Sequence, residues 1–181
     1  MIISRIRLLA ACLCLFSAFS PTWAASPPPA ITQLFDAIKS KDSEKVNNSL
    51  NAGIDANVKN QEGQTPLHYA ARFNDTGSAR LLLKFQARVD ELNTLGETPL
   101  MVAAIQGHLD MVKLLHRYNA QINPTTDWTP LSYAAAGGSI PVVEYLIQSG
   151  ADLDKRSVNN ISPLMMAIRQ KKSGRALFRQ R

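Results

Sequence analysis

The chain has very little cysteine. Its two cysteines, Cys12 and Cys14, both lie near the start of the 181-residue chain. The rest of the chain can therefore form no disulfide, and it offers no thiol nucleophile and no thiolate metal ligand. Whatever fold it adopts must be stabilised by packing and hydrogen bonds alone.

The sequence also lacks an apolar run long enough for a membrane-spanning helix, which needs about 20 residues. Its longest apolar run, residues 8–19, follows Arg5 and Arg7 and precedes a small-residue site at 22–24. This order is typical of a secretory signal peptide. We expect cleavage after Ala24 and a mature protein that is periplasmic or secreted.

A bacterial lipoprotein signal is the alternative interpretation, because the sequence LAAC at 9–12 also fits that processing site. However, only a short apolar stretch separates Arg7 from Cys12, and the apolar sequence continues beyond the cysteine. A lipidated chain should turn polar at that point. The ordinary signal peptide is therefore favoured.

Charge is distributed unevenly along the chain. Lys and Arg outnumber Asp and Glu by 20 to 14, but residues 169–181 hold six of the cations and no acid. Residues 25–168 hold 12 basic and 14 acidic side chains, a net charge of −2. The body lacks the basic face that nucleic-acid binding requires. The alternative function is that of a membrane-surface or structural protein, in which the basic C-terminal tail makes weak contact with an anionic membrane surface.

One motif recurs four times in the chain. The copies are TPLHYA at 65–70, TPLMVA at 98–103, TPLSYA at 129–134 and SPLMMA at 162–167, so they follow one another at nearly equal intervals. Thr98 is a good helix N-cap, and Pro99 suits the first helical position. Gly107 can adopt the left-handed conformation that ends a helix, and a second apolar helix follows it. Helices of about ten residues are marginal alone, so each pair must stack on its neighbours.

These boxes, with GHLDMVKLL at 107–115 and the turns AGID at 52–55 and SGAD at 149–152, resemble the ankyrin-repeat family in sequence and in period. The resemblance implies an all-α solenoid of about five helix pairs with projecting β-turn fingers. The predicted segments are a signal peptide (1–24), a Pro-rich spacer (25–29), and a repeat domain (30–181) made of an N-terminal cap (30–53), repeats 54–86, 87–119 and 120–150, and a C-terminal cap with the basic tail (151–181).

The third repeat departs from the others. Its finger is two residues shorter, and Asp127 stands where Gly63 and Gly96 stand in the earlier repeats. That glycine position normally serves a turn with positive φ, which Asp tolerates better than most residues. We therefore expect Asp127 to adopt this turn.

The three histidines form no catalytic or metal-binding pattern. His68 and His108 match family positions that hydrogen-bond the loops of adjoining repeats, and His116 is predicted to be a solvated helix residue. The motifs HExxH and GxSxG and a Gly-rich phosphate loop are absent. We predict no metal, no cofactor and no enzymatic activity; an enzyme with an unrecognised site is the less favoured alternative.

The resemblance implies binding of another protein through the finger tips and the inner helices. The candidate partner-binding residues occupy positions that the repeat does not need for folding. They are Arg72, Phe73, Leu95, Ile105, Trp128, Val158 and Ile161.

Trp128 is predicted to be the centre of an apolar strip that includes Leu95 and Ile161. The alternative is that Trp128 folds back onto its own shortened finger. We expect a chain that is monomeric when free and acts as accessory, inhibitor or chaperone of another exported protein.

Export is tested by N-terminal sequencing of the protein recovered from outside the cytoplasm. We expect the sequence to begin at Ala25, because the residues before it have the signal order described above. A lipid-modified N-terminus at Cys12 would contradict the ordinary signal peptide.

Overall fold

The computed structural model of the chain describes residues 29–155 together with Ser162, Pro163 and Met165. In this part of the chain the regular structure consists of eight short helices in four consecutive pairs. The helices are α1 (Pro29–Lys39), α2 (Ser43–Asn51), α3 (Pro66–Phe73), α4 (Thr76–Lys84), α5 (Pro99–Ile105), α6 (Leu109–Arg117), α7 (Pro130–Gly137) and α8 (Ile140–Gln148). None of the helices in this part reaches the length and apolar character that a membrane crossing requires. The predicted signal, most of the fifth helix pair and the basic tail lie outside the described residues.

The helix pairs stack into two rows. The inner row is α1, α3, α5 and α7, and the outer row is α2, α4, α6 and α8. Neighbouring helices pack more closely in the inner row than in the outer row, and α5 and α7 are the most closely packed pair. The all-α repeat fold predicted from the sequence is confirmed.

The repeated TPL box starts the inner helices as predicted. Thr65, Thr98 and Thr129 are the N-caps of α3, α5 and α7, and each precedes a proline at the first helical position. The Thr98 hydroxyl accepts the backbone N–H of Met101 at 3.3 Å. Gly107, with φ of +74°, follows the end of α5 as expected. The box thus combines a capping hydroxyl with a residue that has no N–H to satisfy.

The core lies between the two rows. It is formed by Leu, Ile, Val, Met and Ala side chains from every helix, and it runs without interruption along the stack. In the first helix pair Leu34, Phe35, Ile38, Val46 and Leu50 are buried. No single pair could bury its apolar face alone, so stability depends on contact with the neighbouring pairs.

Polar side chains in the turns connect each repeat to the next. At equivalent positions of three turns, a side-chain oxygen accepts a backbone N–H of the following repeat. The bonds are Asn57 Oδ1 to the Arg88 N–H (2.8 Å), Asp90 Oδ1 to the Gln121 N–H (3.0 Å), and Asn123 Oδ1 to the Asp152 N–H (2.8 Å). These bonds join successive repeats.

Two of the histidines join adjoining repeats as predicted. His68 Nε2 lies 3.0 Å from the Glu97 carbonyl oxygen, and His108 Nε2 lies 3.0 Å from the Arg72 carbonyl oxygen. Because His68 Nδ1 accepts the Thr65 N–H at 3.2 Å, its ring is neutral with the proton on Nε2. Burial is the main cause that lowers the pKa of His68.

The prediction for His116 was wrong. It is half-buried rather than solvated, and its Nδ1 lies 2.8 Å from the Tyr145 hydroxyl. The reason is the packing of α6 against α8, which brings the two rings together with a centroid distance of 5.8 Å. This contact joins two different repeats and cannot be read from the local sequence.

His68→Met tests the connection between the first two repeats, with Met101 as the precedent at the equivalent position. At about pH 7 we expect a loss of about 1 kcal/mol of unfolding free energy, because the bond to Glu97 is removed. A group whose pKa is lowered on folding contributes to the free energy of unfolding at pH values above its unfolded-state pKa, which is about 6.5 for His. This contribution is lost as the pH falls through the lower pKa of the folded state.

The variant should therefore lose less stability than the parent between about pH 7 and pH 5. Urea unfolding at both pH values measures this difference. If the variant and the parent lose the same unfolding free energy between pH 7 and pH 5, the lowered pKa of His68 in the folded state would be contradicted.

Candidate functional site

Three projecting segments, here called the first (52–65), second (85–98) and third (118–129) fingers, connect the outer helices to the following inner helices. The first two are built in the same way around an asparagine. Asn60 Oδ1 accepts the N–H groups of residues 62 and 64 at 3.0 and 2.8 Å, and Asn93 Oδ1 accepts those of residues 95 and 97, both at 2.9 Å. These bonds close a tight turn that contains a glycine with positive φ.

The third finger lacks this turn. Pro124 occupies the position of the two asparagines, counted from the cap threonine, and it has neither the amide side chain nor a backbone N–H. The expectation that Asp127 adopts the glycine conformation was wrong, because Asp127 is not among the described residues with positive φ. With two residues fewer, the finger follows a series of bends, and the Thr126 hydroxyl donates to the Trp128 carbonyl at 2.8 Å.

The first two fingers are bonded to each other at their tips. The Thr94 hydroxyl donates to the Glu62 carbonyl at 2.8 Å, and Lys59 Nζ lies 2.7 Å from a Glu91 carboxylate oxygen. In the part of the chain that the structure describes, no such bond joins the tip of the third finger to that of the second. Among the described residues, the tip of the third finger is therefore not joined to its neighbour in the way that the first two tips are joined to each other.

An apolar pocket of about 250 Å³ lies between α5 and α7, at the base of the third finger. We call it the inner-helix pocket. Its described lining is Ile105, Trp128, Ser132, Tyr133 and Ala136, and it is almost entirely apolar. Trp128, which directly precedes the cap of α7, is half-buried, and Ile105 at the end of α5 is 39% exposed. Two adjacent inner helices and one short finger therefore form a single concave apolar surface.

A carboxylate lies beside this pocket. Glu97, which stands in the second finger at the position equivalent to Trp128, makes a side-chain contact with Tyr133 and accepts Asn93 Nδ2 at 2.8 Å. Burial, followed by the negative charge of Glu97 and this contact, raises the pKa of Tyr133 far above its usual range. Tyr133 is therefore a neutral hydrogen-bond donor at any physiological pH, with its ring in the pocket wall.

The structure brings together two of the predicted partner-binding residues, Ile105 and Trp128. Leu95 is 75% exposed at the tip of the second finger and is not among the described residues that line the pocket. Trp128 lies at the base of its finger and lines the pocket together with Ser132, Tyr133 and Ala136 of its own repeat. Both alternatives posed for Trp128 stay predictions.

Two other predicted residues lie at the end of α3. Arg72 is exposed, and Phe73 is half-buried, with its ring centroid 5.7 Å from that of Tyr69. Tyr69 in turn contacts Phe35 edge to face at 4.7 Å, so an aromatic row runs along the first two inner helices. The remaining candidates, Val158 and Ile161, lie outside the described residues.

Tyr133 was not identified from the sequence as a site residue. The available signal was its position in the box, where TPLSY aligns with TPLHY and TPLMV. The aligned residues Tyr69 and Val102 are also large and apolar, which indicates one continuous line of side chains on the inner helices. The contact with Glu97 had no sequence signal, because it joins residues of two different repeats.

Catalytic chemistry has no visible basis in this region. Across the described residues, no group of three or more His, Cys, Asp or Glu side chains is arranged to hold a metal ion. His68 and His108 are committed to backbone carbonyls, as described above. Among its described lining residues, the pocket has no nucleophile paired with a base.

The stacked helix pairs and projecting fingers define a helical-repeat solenoid, a class in which each unit contacts only its neighbours. A family model described as ankyrin repeats (3 copies) matches residues 34–126 and 118–179. The chain therefore belongs to the ankyrin-repeat family. Members of this family are typically non-enzymatic scaffolds that bind other proteins.

Relatives come from both animals and bacteria. The chain is 32% identical over 125 residues to the B-cell lymphoma 3 protein homolog of Mus musculus, a match to 67% of this chain and 28% of that protein. It is 33% identical over 133 residues to an ankyrin repeat protein of Rickettsia bellii (67% and 37%). It is 30% identical over 139 residues to neurogenic locus notch homolog protein 1 of Homo sapiens (75% and 5%). The chain thus spans little more than a third of these relatives at most.

Gly137→Ala tests the close approach of α5 and α7 at the pocket edge. A Cβ on Gly137 would overlap the carbonyl oxygen of Ile105, which is backbone and cannot turn aside. We expect the variant to lose about 1–3 kcal/mol of unfolding free energy, although alanine is favoured over glycine in a helix by about 1 kcal/mol.

Gly77→Ala in α4 is the matched control. Its Cβ would meet the Ser43 hydroxyl at 2.7 Å, and that side chain can rotate away. Urea unfolding of both variants gives the comparison, and we expect Gly77→Ala to be neutral or stabilising. Equal effects at the two positions would contradict the close approach.

Proposed function

We propose that this chain is a non-enzymatic scaffold that binds another protein, with the inner-helix pocket as the anchor site. The observation that carries the proposal is the convergence of Ile105, Trp128 and Tyr133 on one open apolar cavity. Apolar surface at such a position is not needed to build the repeat. Exposed apolar patches bordered by polar residues mark interaction sites, and aromatic side chains dominate interface energetics.

The size of the pocket supports a protein partner over a small molecule. At about 250 Å³ the pocket is smaller than the roughly 300–1,000 Å³ of typical ligand sites. It has few polar groups with which to orient a cofactor or substrate. One bulky apolar side chain from a partner fits both its volume and its lining.

The proposal extends to where the protein acts. The signal-like residues 1–24 support export, and the absence of cysteine after Cys14 suits a protein that relies on packing outside the cytoplasm. We propose that the partner is another exported protein, for which this chain serves as accessory, inhibitor or chaperone. The six cations of residues 169–181 support an additional weak contact with anionic membrane lipid.

Site-specific photo-crosslinking in cells that export the protein identifies the partner. A crosslinker at position 105 should capture a protein that the same crosslinker at position 147 does not. Ile147 is a matched control, because it is 43% exposed against 39% for Ile105 and lies on the outer helix α8. Capture from position 147 and not from 105 would place the interface on the outer row and contradict the proposal.

Binding of the captured partner to Ile105→Ala, Trp128→Ala and Ile147→Ala gives the energetic test. Truncation of an anchor typically weakens binding by about 2 kcal/mol or more, which is roughly thirtyfold in Kd. We expect this loss for Ile105→Ala and Trp128→Ala and no change for Ile147→Ala. Titration calorimetry measures Kd, and thermal unfolding confirms that each variant is folded. An equal Kd for all three would show that the pocket is not the anchor site.

A further inference from the structure

The three fingers are predominantly acidic. Between residues 52 and 129 they carry six carboxylates and two cations, a net charge of −4. The carboxylates are those of Asp55, Glu62, Asp90, Glu91, Glu97 and Asp127. Both cations, Lys59 and Arg88, contact the same carboxylate, Glu91, at 2.7 and 3.4 Å. The other acids of the fingers form no ion pair among the described residues.

The pocket floor next to these fingers carries no charge. Neither α5 nor α7 contains a charged residue. Two carboxylates lie at the margin of the pocket: Asp127, which is exposed and directly precedes Trp128, and Glu97, which contacts Tyr133. Among the described residues two cations lie towards this surface: Arg72, at the position of α3 equivalent to Ile105, and Lys155, whose Nζ contacts the Pro124 carbonyl of the third finger. An apolar cavity is thus bordered on its finger side by negative charge.

The outer row has a groove lined mainly by positive charge. This groove of about 460 Å³ is lined by Arg80, Lys113, Arg117, Thr76, Tyr145 and a single acid, Asp110. None of the three cations forms an ion pair with a carboxylate in the described part of the chain. A cationic partner is repelled from this side and attracted to the fingers. Charge complementarity of this kind selects orientation and suppresses wrong partners.

We infer that the occupant of the inner-helix pocket is a cationic protein segment, in which a bulky apolar side chain enters the pocket and neighbouring Lys or Arg side chains face the fingers. The inference rests on the proposed function, since it assumes that the pocket binds protein. It assigns Asp127, Glu97 and Glu62 as groups that select the partner and Arg72 as a group that opposes it. The attraction is between exposed charges, so it weakens as salt rises.

Fluorescence of Trp128 reports directly on the pocket. The chain has two tryptophans, and Trp23→Phe in every preparation leaves Trp128 as the only one. Three synthetic peptides share a central Leu-Phe pair, flanked on both sides by Lys and Arg, by Ser and Thr, or by Asp and Glu. A fourth keeps the Lys and Arg and has Ala-Ala at its centre.

The cationic Leu-Phe peptide should shift the Trp128 emission to shorter wavelength and bind about tenfold more tightly than the neutral one, because two or three exposed charge pairs form. This advantage should disappear in about 0.5 M NaCl. The acidic peptide should bind more weakly than the neutral peptide. The Ala-Ala peptide should bind more weakly than the cationic Leu-Phe peptide.

Charge variants give the sign of each contribution. Glu62→Gln and Asp127→Asn should each weaken binding of the cationic peptide about twofold to fivefold, and Arg72→Gln should strengthen it by a similar factor. Glu144→Gln on α8 is the matched control and should leave Kd unchanged, because this exposed acid lies on the outer row.

Two results would overturn the inference in different ways. Equal Kd for all three Leu-Phe peptides would remove the charge preference and leave the pocket as a protein-binding site. If no peptide changes the emission of Trp128, both the charge preference and the pocket as a protein-binding site would be contradicted.

The chain's own segment 169–181 has the same chemistry, with Leu177 and Phe178 between Arg175 and Arg179. A shift of Trp128 emission on deleting this segment, before any peptide is added, would make the tail the occupant and overturn the assignment to a partner.

Discussion

Contact between neighbouring helix pairs is the interaction on which the rest of the structure depends. The described helices have seven to eleven residues, too few to be stable as isolated helices in water. Stacking buries their apolar faces in one continuous core, side-chain oxygens of the turns bond across three successive junctions, and the rings of His68 and His108 add bonds at the first of these three. Stability in such a stack is approximately a sum of repeat and interface contributions.

The candidate site arises where this regular stacking is altered. The third finger is two residues shorter and lacks the key asparagine, so it does not form the asparagine-centred turn, and among the described residues no bond joins its tip to that of the second finger. Gly137 lets α7 approach the Ile105 carbonyl, so that the inner helices stay close beneath the shortened finger. A cavity lined by Trp128 and Tyr133 results, without any break in the core. The same departure that removes the tip-to-tip bond is therefore accompanied by an exposed apolar surface.

Most of the fold could be predicted from the sequence, because it depends on local features that recur. A Thr-Pro pair, a helix-ending glycine and a regular apolar pattern each act over a few residues, and four copies in register leave little ambiguity. Ile105 and Trp128 could be selected for the same reason, since register shows which positions the repeat does not use. The contact of Tyr133 with Glu97 and that of His116 with Tyr145 depend on the spacing between repeats. The conformation of Asp127 depends on the loss of the whole asparagine-centred turn from its finger. The tolerance of Asp for positive φ describes one residue and could not predict that loss.

Hydrogen exchange of the chain alone and in complex with its captured partner tests the central claim most directly, because it maps the bound surface along the whole backbone. If the partner is anchored in the inner-helix pocket, the added protection will lie in α5, in the third finger and in α7, around Ile105, Trp128 and Tyr133. Added protection confined to the outer helices α6 and α8 would contradict the account.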